Sequence, residues 1–181
     1  MSSEMFEKLE YLKILKKILD LENPVKPNEN KNKDLKSLLE IIDEKNGYVI
    51  TKDNFRKMIL ILYRIIANIP VILMGETGCG KTSLIKILNK LLNNGKETIE
   101  SIDIDPSYDD EKLTKRMDEI NKKAKINCND ELWVFFDELN TCESFSLITE
   151  IFINRTCDRF KIDEKIRLIG ACNPYRKKKK R

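Results

Sequence analysis

Residues 75–82, Gly-Glu-Thr-Gly-Cys-Gly-Lys-Thr, have the types and spacing that could hold a chain of phosphates. They fit the pattern G-x-x-x-x-G-K-[ST], in which backbone N–H groups of a glycine-rich loop point inward at the ligand. In this interpretation Lys81 reaches the β- and γ-phosphates, and the Thr82 hydroxyl binds Mg²⁺. The predicted contacts to the nucleotide are Gly75, Glu76, Thr77, Gly78, Cys79, Gly80, Lys81, Thr82 and Ser83.

An acidic pair and an asparagine supply the second part of the predicted chemistry. Asp137 and Glu138 directly follow the apolar run Leu132–Phe136, and Asn173 directly follows the apolar run Ile166–Cys172. An apolar run that ends in Asp-Glu downstream of a phosphate loop is the Walker B pattern. Asp137 would orient Mg²⁺, directly or through water, and Glu138 would polarise the attacking water as a general base. Asn173 is predicted to hold that water or to contact the γ-phosphate.

Hydrophobic patterning predicts the elements that position these residues. Val71–Met74 is a short apolar run before the loop, and the apolar face of residues 83–92 predicts a helix after it. The later predicted elements are a strand over Thr98–Ile104, a helix over Asp109–Ala124, a strand over Leu132–Phe136, a helix capped by Ser144 that runs to about Asn154, and a strand over Ile166–Cys172. This alternation predicts a parallel sheet covered by helices on both faces. Ligands bind at the carboxyl ends of such strands, where Asp103 and Asp105 also lie.

The chain upstream of the loop is predicted to be mostly helical. Thr51 or Asp53 caps a helix that ends at Asn68. Residues 4–22 have an amphipathic pattern that packs on a core or a neighbouring segment, or, in the alternative, lies on a membrane surface. A polar linker over residues 23–33 separates this helix from a short one over residues 34–44.

Composition limits the classes of function. The 181 residues include no histidine, which excludes Ser-His and Cys-His catalysis, and the five cysteines contain no C-x-x-C pair. The net charge is +4, but the run Arg176–Arg181 supplies six positive charges, so we predict no nucleic-acid partner. That run is interpreted as a solvated tail, with a nuclear-import or acidic-partner signal as the alternative. Free thiols and the absence of an apolar leader or span predict a cytoplasmic protein.

Several strings are more specific than the phosphate loop alone. They are residues 48–54 with Lys57-Met58, residues 69–82, Phe135-Phe-Asp-Glu-Leu-Asn-Thr-Cys142, Arg155-Thr156, and Arg167-Leu-Ile-Gly-Ala-Cys-Asn-Pro-Tyr175. With these strings the chain resembles an AAA+ ATPase module, and more closely an AAA+ unit of the mysterin family of giant RING-type E3 ubiquitin ligases. The likeness runs from about residue 48 to residue 176.

The resemblance implies a P-loop NTPase sheet with flanking helices, in which the strand before Asn173 lies between the strands before Lys81 and Asp137. It implies ATP as the nucleotide, Glu138 as the catalytic glutamate and Asn173 as the sensor-1 residue. It also makes Tyr48–Ile50 a candidate contact to the adenine. The predicted organisation is an N-terminal helical extension over residues 1–46, a partial AAA+ core over residues 47–176 and a basic tail over residues 177–181.

Several parts of a complete AAA+ module or of the ligase are not matched in this sequence. The fifth core strand, the helical lid with its sensor-2 arginine, the usual arginine finger and the RING finger have no counterpart in the sequence. Arg155 and Arg159 are present, but neither is assigned as a finger. The sequence is therefore predicted to be a fragment of a larger protein or a truncated paralogue, whose partners are other AAA+ units in cis or in trans.

Three hypotheses follow for the function. The first is an ATP-binding and ATP-hydrolysing module of a mysterin-like ligase, in which ubiquitin transfer does not reside in these residues. The second is a non-catalytic, nucleotide-stabilised assembly module. The third is a part of another AAA+ machine, such as a midasin-like or McrB-like remodeller.

Overall fold

The structure is a computed structural model that describes residues 51–93, 97–126 and 131–174. Several predictions fall outside these residues. They are the N-terminal extension over residues 1–46 with its two helices and linker, the adenine-contact candidate Tyr48–Ile50, the loop Asn127–Asp130 and the basic tail.

The described elements follow one another in the predicted alternation. In chain order they are α1 Lys52–Ile66, β1 Val71–Met74, α2 Lys81–Leu92, β2 Ile99–Asp103, α3 Asp110–Ile126, β3 Leu132–Asp137, a 3₁₀ turn Leu139–Thr141, α4 Phe145–Thr149, a π-helical turn Glu150–Asn154, β4 Thr156–Cys157, β5 Phe160–Lys161 and β6 Ile166–Cys172. Among the described residues, no helix is both long and apolar enough to cross a bilayer.

The chain divides into two units, and the smaller one is helical. Its described residues are 51–66, 83–93 and 97, which comprise α1 and all but the first two residues of α2. Thr51 rather than Asp53 caps α1, because the Asn54 N–H donates to the Thr51 hydroxyl at 3.2 Å. Each helix buries one apolar face, as the 3.6-residue period predicted. The buried residues are Phe55, Met58, Ile61, Leu62 and Ile65 on α1, and Leu84, Ile85, Ile87, Leu88, Leu91 and Leu92 on α2.

The larger unit contains a four-stranded parallel sheet in the order β1-β6-β3-β2. Pairs such as Val71 with Ile169 and Phe135 with Ile169 set the register. Because all four strands are parallel, their carboxyl ends meet at one edge of the sheet, which we call the carboxyl edge, and their starts form the amino edge. The order confirms that β6, which precedes Asn173, lies between the strand of the phosphate loop and the strand of the acidic pair. The fold is that of an α/β P-loop NTPase.

One apolar core supports this sheet. Val134, Phe136, Ile166 and Leu168 face the buried side of α3 in a single cluster. On α3, Leu113, Met117, Ile120 and Ala124 are buried, as their spacing predicted. Phe136 and Phe152 pack edge to face with ring centroids 5.2 Å apart.

Four details differ from the sequence-based prediction. The helix after Ser144 changes to a π-helical turn at Glu150, and a short β4–β5 hairpin precedes β6. Ser144 precedes α4 as predicted, but its side chain makes no capping hydrogen bond. The helix over residues 110–126 extends two residues beyond the predicted end.

Candidate nucleotide-binding site

The glycine-rich loop begins where β1 ends, and two kinds of constraint require its glycines. The Gly75 N–H donates to the Cys172 carbonyl at 3.2 Å, which ties the start of the loop to β6. Gly78 and Gly80 have φ values of 79° and 85°, which residues with a Cβ rarely adopt. Gly75 has an ordinary φ, but a Cβ there would lie 2.7 Å from Cys79 Sγ. The prediction of special backbone conformations therefore holds for two glycines, and close packing explains the third.

Lys81 places its ammonium group against the loop. Nζ donates to the Gly75 carbonyl at 2.7 Å, to the Glu76 carbonyl at 3.0 Å and to Asn173 Oδ1 at 3.0 Å. The first two acceptors are neutral main-chain groups, and the third is the side chain predicted to contact the γ-phosphate. The structure thus brings Lys81 and Asn173 together across β1 and β6.

Thr82 and Asp137 form the second contact of the site. The Thr82 hydroxyl donates to Asp137 Oδ2 at 2.8 Å, and Asp137 Oδ1 accepts the Glu138 N–H at 2.9 Å. A hydroxyl and a carboxylate oxygen are hard ligands of the kind that Mg²⁺ takes together with phosphate oxygens. The donor set at this position therefore fits the predicted metal.

Glu138 occupies a strained position at the end of β3. Its φ of 56° and ψ of 37° are left-handed, which is uncommon for a residue with a Cβ. The side chain is exposed, whereas the carbonyl accepts the Thr141 N–H at 2.9 Å. The carboxylate thus lies at the carboxyl edge beside Asp137 without a hydrogen bond to another described residue.

The remaining predicted residues differ in where they lie. Glu76, Thr77, Asn173 and Pro174 line an open cleft of ≈ 370 Å³, a volume within the range of small-molecule sites. Ser83 is exposed in the first turn of α2.

The two other acidic residues at this edge have different surroundings. Asp103 is paired in register with Asp137 at the ends of neighbouring strands. Asp105 instead holds a turn, because its Oδ1 accepts the Ser107 N–H at 2.7 Å, and hydrogen bonds from Ser107 lower the pKa of its carboxyl group.

Two residues of the site escaped the sequence-based prediction. Asn140 Oδ1 accepts the Asn173 N–H at 2.9 Å, and the Thr141 hydroxyl donates to the Ile104 carbonyl at 2.8 Å. The string Asp-Glu-Leu-Asn-Thr drew attention to both, but only its two acids received a role. Their position two and three residues after Glu138 is the one feature of the sequence that pointed to a place in the site.

The two arginines considered as fingers are placed differently. Arg155 Nη1 donates to Asn68 Oδ1 at 3.0 Å, and Nη2 donates to the carbonyls of Asp163 and Ile166, both at 2.9 Å. These acceptors lie at the amino edge, and β6 is about 20 Å long, so Arg155 is far from the phosphate loop. Arg159 lies in the β4–β5 turn with 92% of its side chain exposed.

Comparison with known proteins yields one family match and several long relatives. The family model described as "RNF213 AAA domain" matches residues 48–176. The E3 ubiquitin-protein ligase RNF213 of Mus musculus is 38% identical over 143 residues, which cover 75% of this chain and 3% of that protein. Human RNF213 is 37% identical over 142 residues, again 75% of this chain and 3% of the relative. A structure of C. elegans PCH-2 aligns with a TM-score of 0.44 and 21% identity, covering 88% of this chain and 41% of that chain.

Proposed function

The chain belongs to the RNF213 AAA domain family, and from this premise we propose that it is a module that binds and hydrolyses ATP. One observation carries the proposal. Three separate segments of sequence meet at the carboxyl edge, where Lys81 donates to Asn173 at 3.0 Å and its neighbour Thr82 donates to Asp137 at 2.8 Å. A cation, a hydroxyl, a carboxylate and an amide in this arrangement match the requirements of a nucleotide triphosphate with its metal.

Binding is expected to exchange the partners of Lys81. Its ammonium now donates to two main-chain carbonyls of the loop. Phosphate oxygens carry negative charge, which attracts the ammonium more strongly than a neutral carbonyl dipole does, so β- and γ-phosphate oxygens would displace the carbonyls. The N-terminus of α2 begins at the same residue and adds the positive end of its dipole.

Mg²⁺, when bound, would neutralise charge that develops on the phosphates. Thr82 and Asp137 would hold it, because their oxygens already lie 2.8 Å apart at the end of β3. Glu138 is the proposed general base, because its carboxylate is exposed at the same edge and is free to accept a proton from water. Asn173 would orient that water or the γ-phosphate.

Hydrolysis by the isolated chain is expected to be slow. An arginine finger is worth about 10³–10⁵ in rate. Arg155 makes three hydrogen bonds at the amino edge and cannot supply this charge to its own site. A neighbouring AAA+ unit, in cis or in trans, is therefore the proposed source.

A single-turnover assay with bound radiolabelled ATP tests the catalytic part of the proposal. The wild-type chain should convert bound ATP to ADP slowly, and Glu138→Gln should retain ATP with a rate lower by about 10²-fold. Glu143→Gln, which changes an exposed acid five residues further on, is the matched control and should behave as wild type. Equal conversion by Glu138→Gln and wild type would refute catalysis by Glu138.

One observation favours the alternative of an assembly module. On β1, which comes first in the order of the sheet that the structure describes, the side chains of Ile72 and Met74 are 57% and 72% exposed. Exposed apolar residues of this size on a strand mark a surface that more protein covers. A non-catalytic module would use ATP for stability alone, and Glu138→Gln would then change nothing in the assay.

The long relatives set the proposed context. The chain spans about 3% of the length of the RNF213 proteins that it matches, so their ligase activity is a property of much longer chains. We place this module in such a ligase, in the cytoplasm, with other AAA+ units as its neighbours. Ubiquitin transfer is not assigned to these residues, because they contain no histidine and no C-x-x-C pair for a RING-type zinc site.

A further inference from the structure

The 3₁₀ turn Leu139–Thr141 connects the ends of three neighbouring strands. On the β2 side, the Thr141 hydroxyl lies 2.8 Å from the Ile104 carbonyl and 2.9 Å from the Glu138 carbonyl. On the β6 side, Asn140 Oδ1 accepts the Asn173 N–H at 2.9 Å. Since β3 lies between β6 and β2, this turn is in position to set the relative placement of all three ends.

Within the turn, Leu139 packs in the core and Asn140 makes a polar contact. Leu139 is buried and lies against Gly170 of β6, where an added Cβ would collide with its side chain. Asn140 is exposed, so its amide fills no space in the core. Its contribution is therefore the hydrogen bond to Asn173 rather than burial.

The hydrogen bond from Asn173 to Asn140 fixes a residue that lies just beyond the end of β6. Asn173 follows the last residue of β6, and Pro174 after it has no N–H to donate. The Asn173 N–H is consequently the last main-chain donor at this end of the strand. This N–H donates to the Asn140 side chain, which lies in the turn after the acidic pair. The Oδ1 atom of Asn173 accepts a hydrogen bond from Lys81 at 3.0 Å.

We propose that Asn140 is a positioning residue that fixes Asn173 for its contacts with Lys81 and with the terminal phosphate of ATP. The inference rests on the proposed function and adds a residue to it. Because Glu138 and Asn140 lie two residues apart on one short turn, the same contact keeps the general base and Asn173 in a constant relation. Asn140 touches neither substrate nor metal, and it acts through Asn173.

The first test is amide hydrogen exchange at Asn173 in the nucleotide-free 181-residue chain, measured by NMR. Asn140→Ala removes the acceptor, so the Asn173 N–H should exchange about 3- to 10-fold faster, the effect of one ordinary hydrogen bond. Asn140→Asp keeps an acceptor oxygen in place and should restore slow exchange. Asn154→Ala changes another exposed asparagine and should leave the rate unchanged. Unchanged exchange in Asn140→Ala would overturn the proposal.

The second test separates this inference from the proposed function. In the single-turnover assay, Asn140→Ala should slow conversion of bound ATP by about 10-fold and weaken MgATP affinity by less than about 3-fold, because Lys81 and Thr82 remain. Equal turnover in Asn140→Ala and wild type contradicts the positioning role while leaving the proposed function intact. If exchange responds as expected but the wild-type chain binds no ATP, the proposed function fails instead, and with it the role of Asn140 toward phosphate.

Discussion

Lys81 at the carboxyl edge and Arg155 at the amino edge are both cations that donate to main-chain carbonyls, yet their settings are opposite. Lys81 makes two of its bonds to the carbonyls of a glycine-rich loop that opens onto a cleft. Arg155 makes bonds to the carbonyls of Asp163 and Ile166 and to the Asn68 side chain, and burial lowers the pKa of its guanidinium. The acceptors of Lys81 lie on a loop that opens onto a cleft, where an anion can replace them. The Arg155 guanidinium is partly buried, and its acceptors belong to chain segments that it holds together.

The difference shows how a cationic side chain can serve binding at one edge and folding at the other. A flexible ammonium with neutral acceptors can turn toward a phosphate with a gain in charge-assisted bonding. A planar guanidinium with fixed donors joins three chain segments, and it would leave carbonyls unsatisfied if it moved. We therefore expect the carboxyl edge to respond to nucleotide and the amino edge to respond to unfolding.

The largest expected difference is in the reactivity of two cysteines, Cys79 in the phosphate loop and Cys157 two residues after Arg155. Cys79 is exposed in the phosphate loop, whereas burial raises the pKa of Cys157 to about 11. A thiol with that pKa is only about 0.1% thiolate at pH 8, and the thiolate fraction rises only as the pH approaches 11. Iodoacetamide at pH 8 should therefore modify Cys79 and leave Cys157 unmodified in the native chain, as followed by peptide mass spectrometry.

Bound nucleotide should change the reactivity of one of these two cysteines and not that of the other. MgATP should slow the modification of Cys79, because the phosphates cover the loop, and it should not change that of Cys157. Denaturant should make Cys157 reactive. Equal labelling of both residues in the native chain would contradict the assignment of an exposed Cys79 and a buried Cys157.

The next effect is on stability. Arg155→Ala should lower the free energy of unfolding by about 2–4 kcal/mol, because it removes three hydrogen bonds and leaves two part-buried carbonyls without this donor. Arg159→Ala removes an arginine that is almost fully exposed and should change stability by less than about 0.5 kcal/mol. Urea unfolding of both variants measures the contrast. A neutral Arg155→Ala would show that the amino edge is not held by this residue.

A smaller effect is expected at the proposed metal ligand. Thr82→Val removes the hydroxyl with little change in volume, and Thr82→Ser keeps it. The valine variant should bind MgATP about 10-fold more weakly and should lose the difference between titrations with Mg²⁺ and with EDTA. The serine variant should retain that difference. Loss of Mg²⁺ dependence in both variants, or in neither, would count against Thr82 as a ligand.

The sequence predicted the binding edge better than it predicted the rest of the molecule. The glycine spacing of residues 75–82 and the short apolar runs placed β1, β3 and β6 to within about one residue of their observed ends, because local pattern and buried strand agree there. The order of the strands came from the resemblance and not from the pattern. Lys81, Thr82, Asp137 and Asn173 were then expected at one edge, and the structure brings them together.

The missed features depend on contacts between distant segments. The β4–β5 hairpin has no glycine, proline or asparagine at its turn, and Asp158 adopts a positive φ of 52° instead. The role of Asn140 depends on Asn173, and that of Arg155 depends on Asn68, both far away in sequence. Neither partner can be recognised from a local pattern, so the sequence offered two polar residues without a function.

Calorimetric titration of the folded chain with MgATP tests the central claim most directly, with Lys81→Ala and Lys86→Ala as the variants. Lys86 is an exposed lysine on the same helix and is the matched control. We predict that wild type and Lys86→Ala bind alike and that Lys81→Ala binds at least about 100-fold more weakly, because it loses two charge-assisted hydrogen bonds. A folded wild-type chain that does not bind, or a Lys81→Ala variant that binds as wild type does, would contradict it.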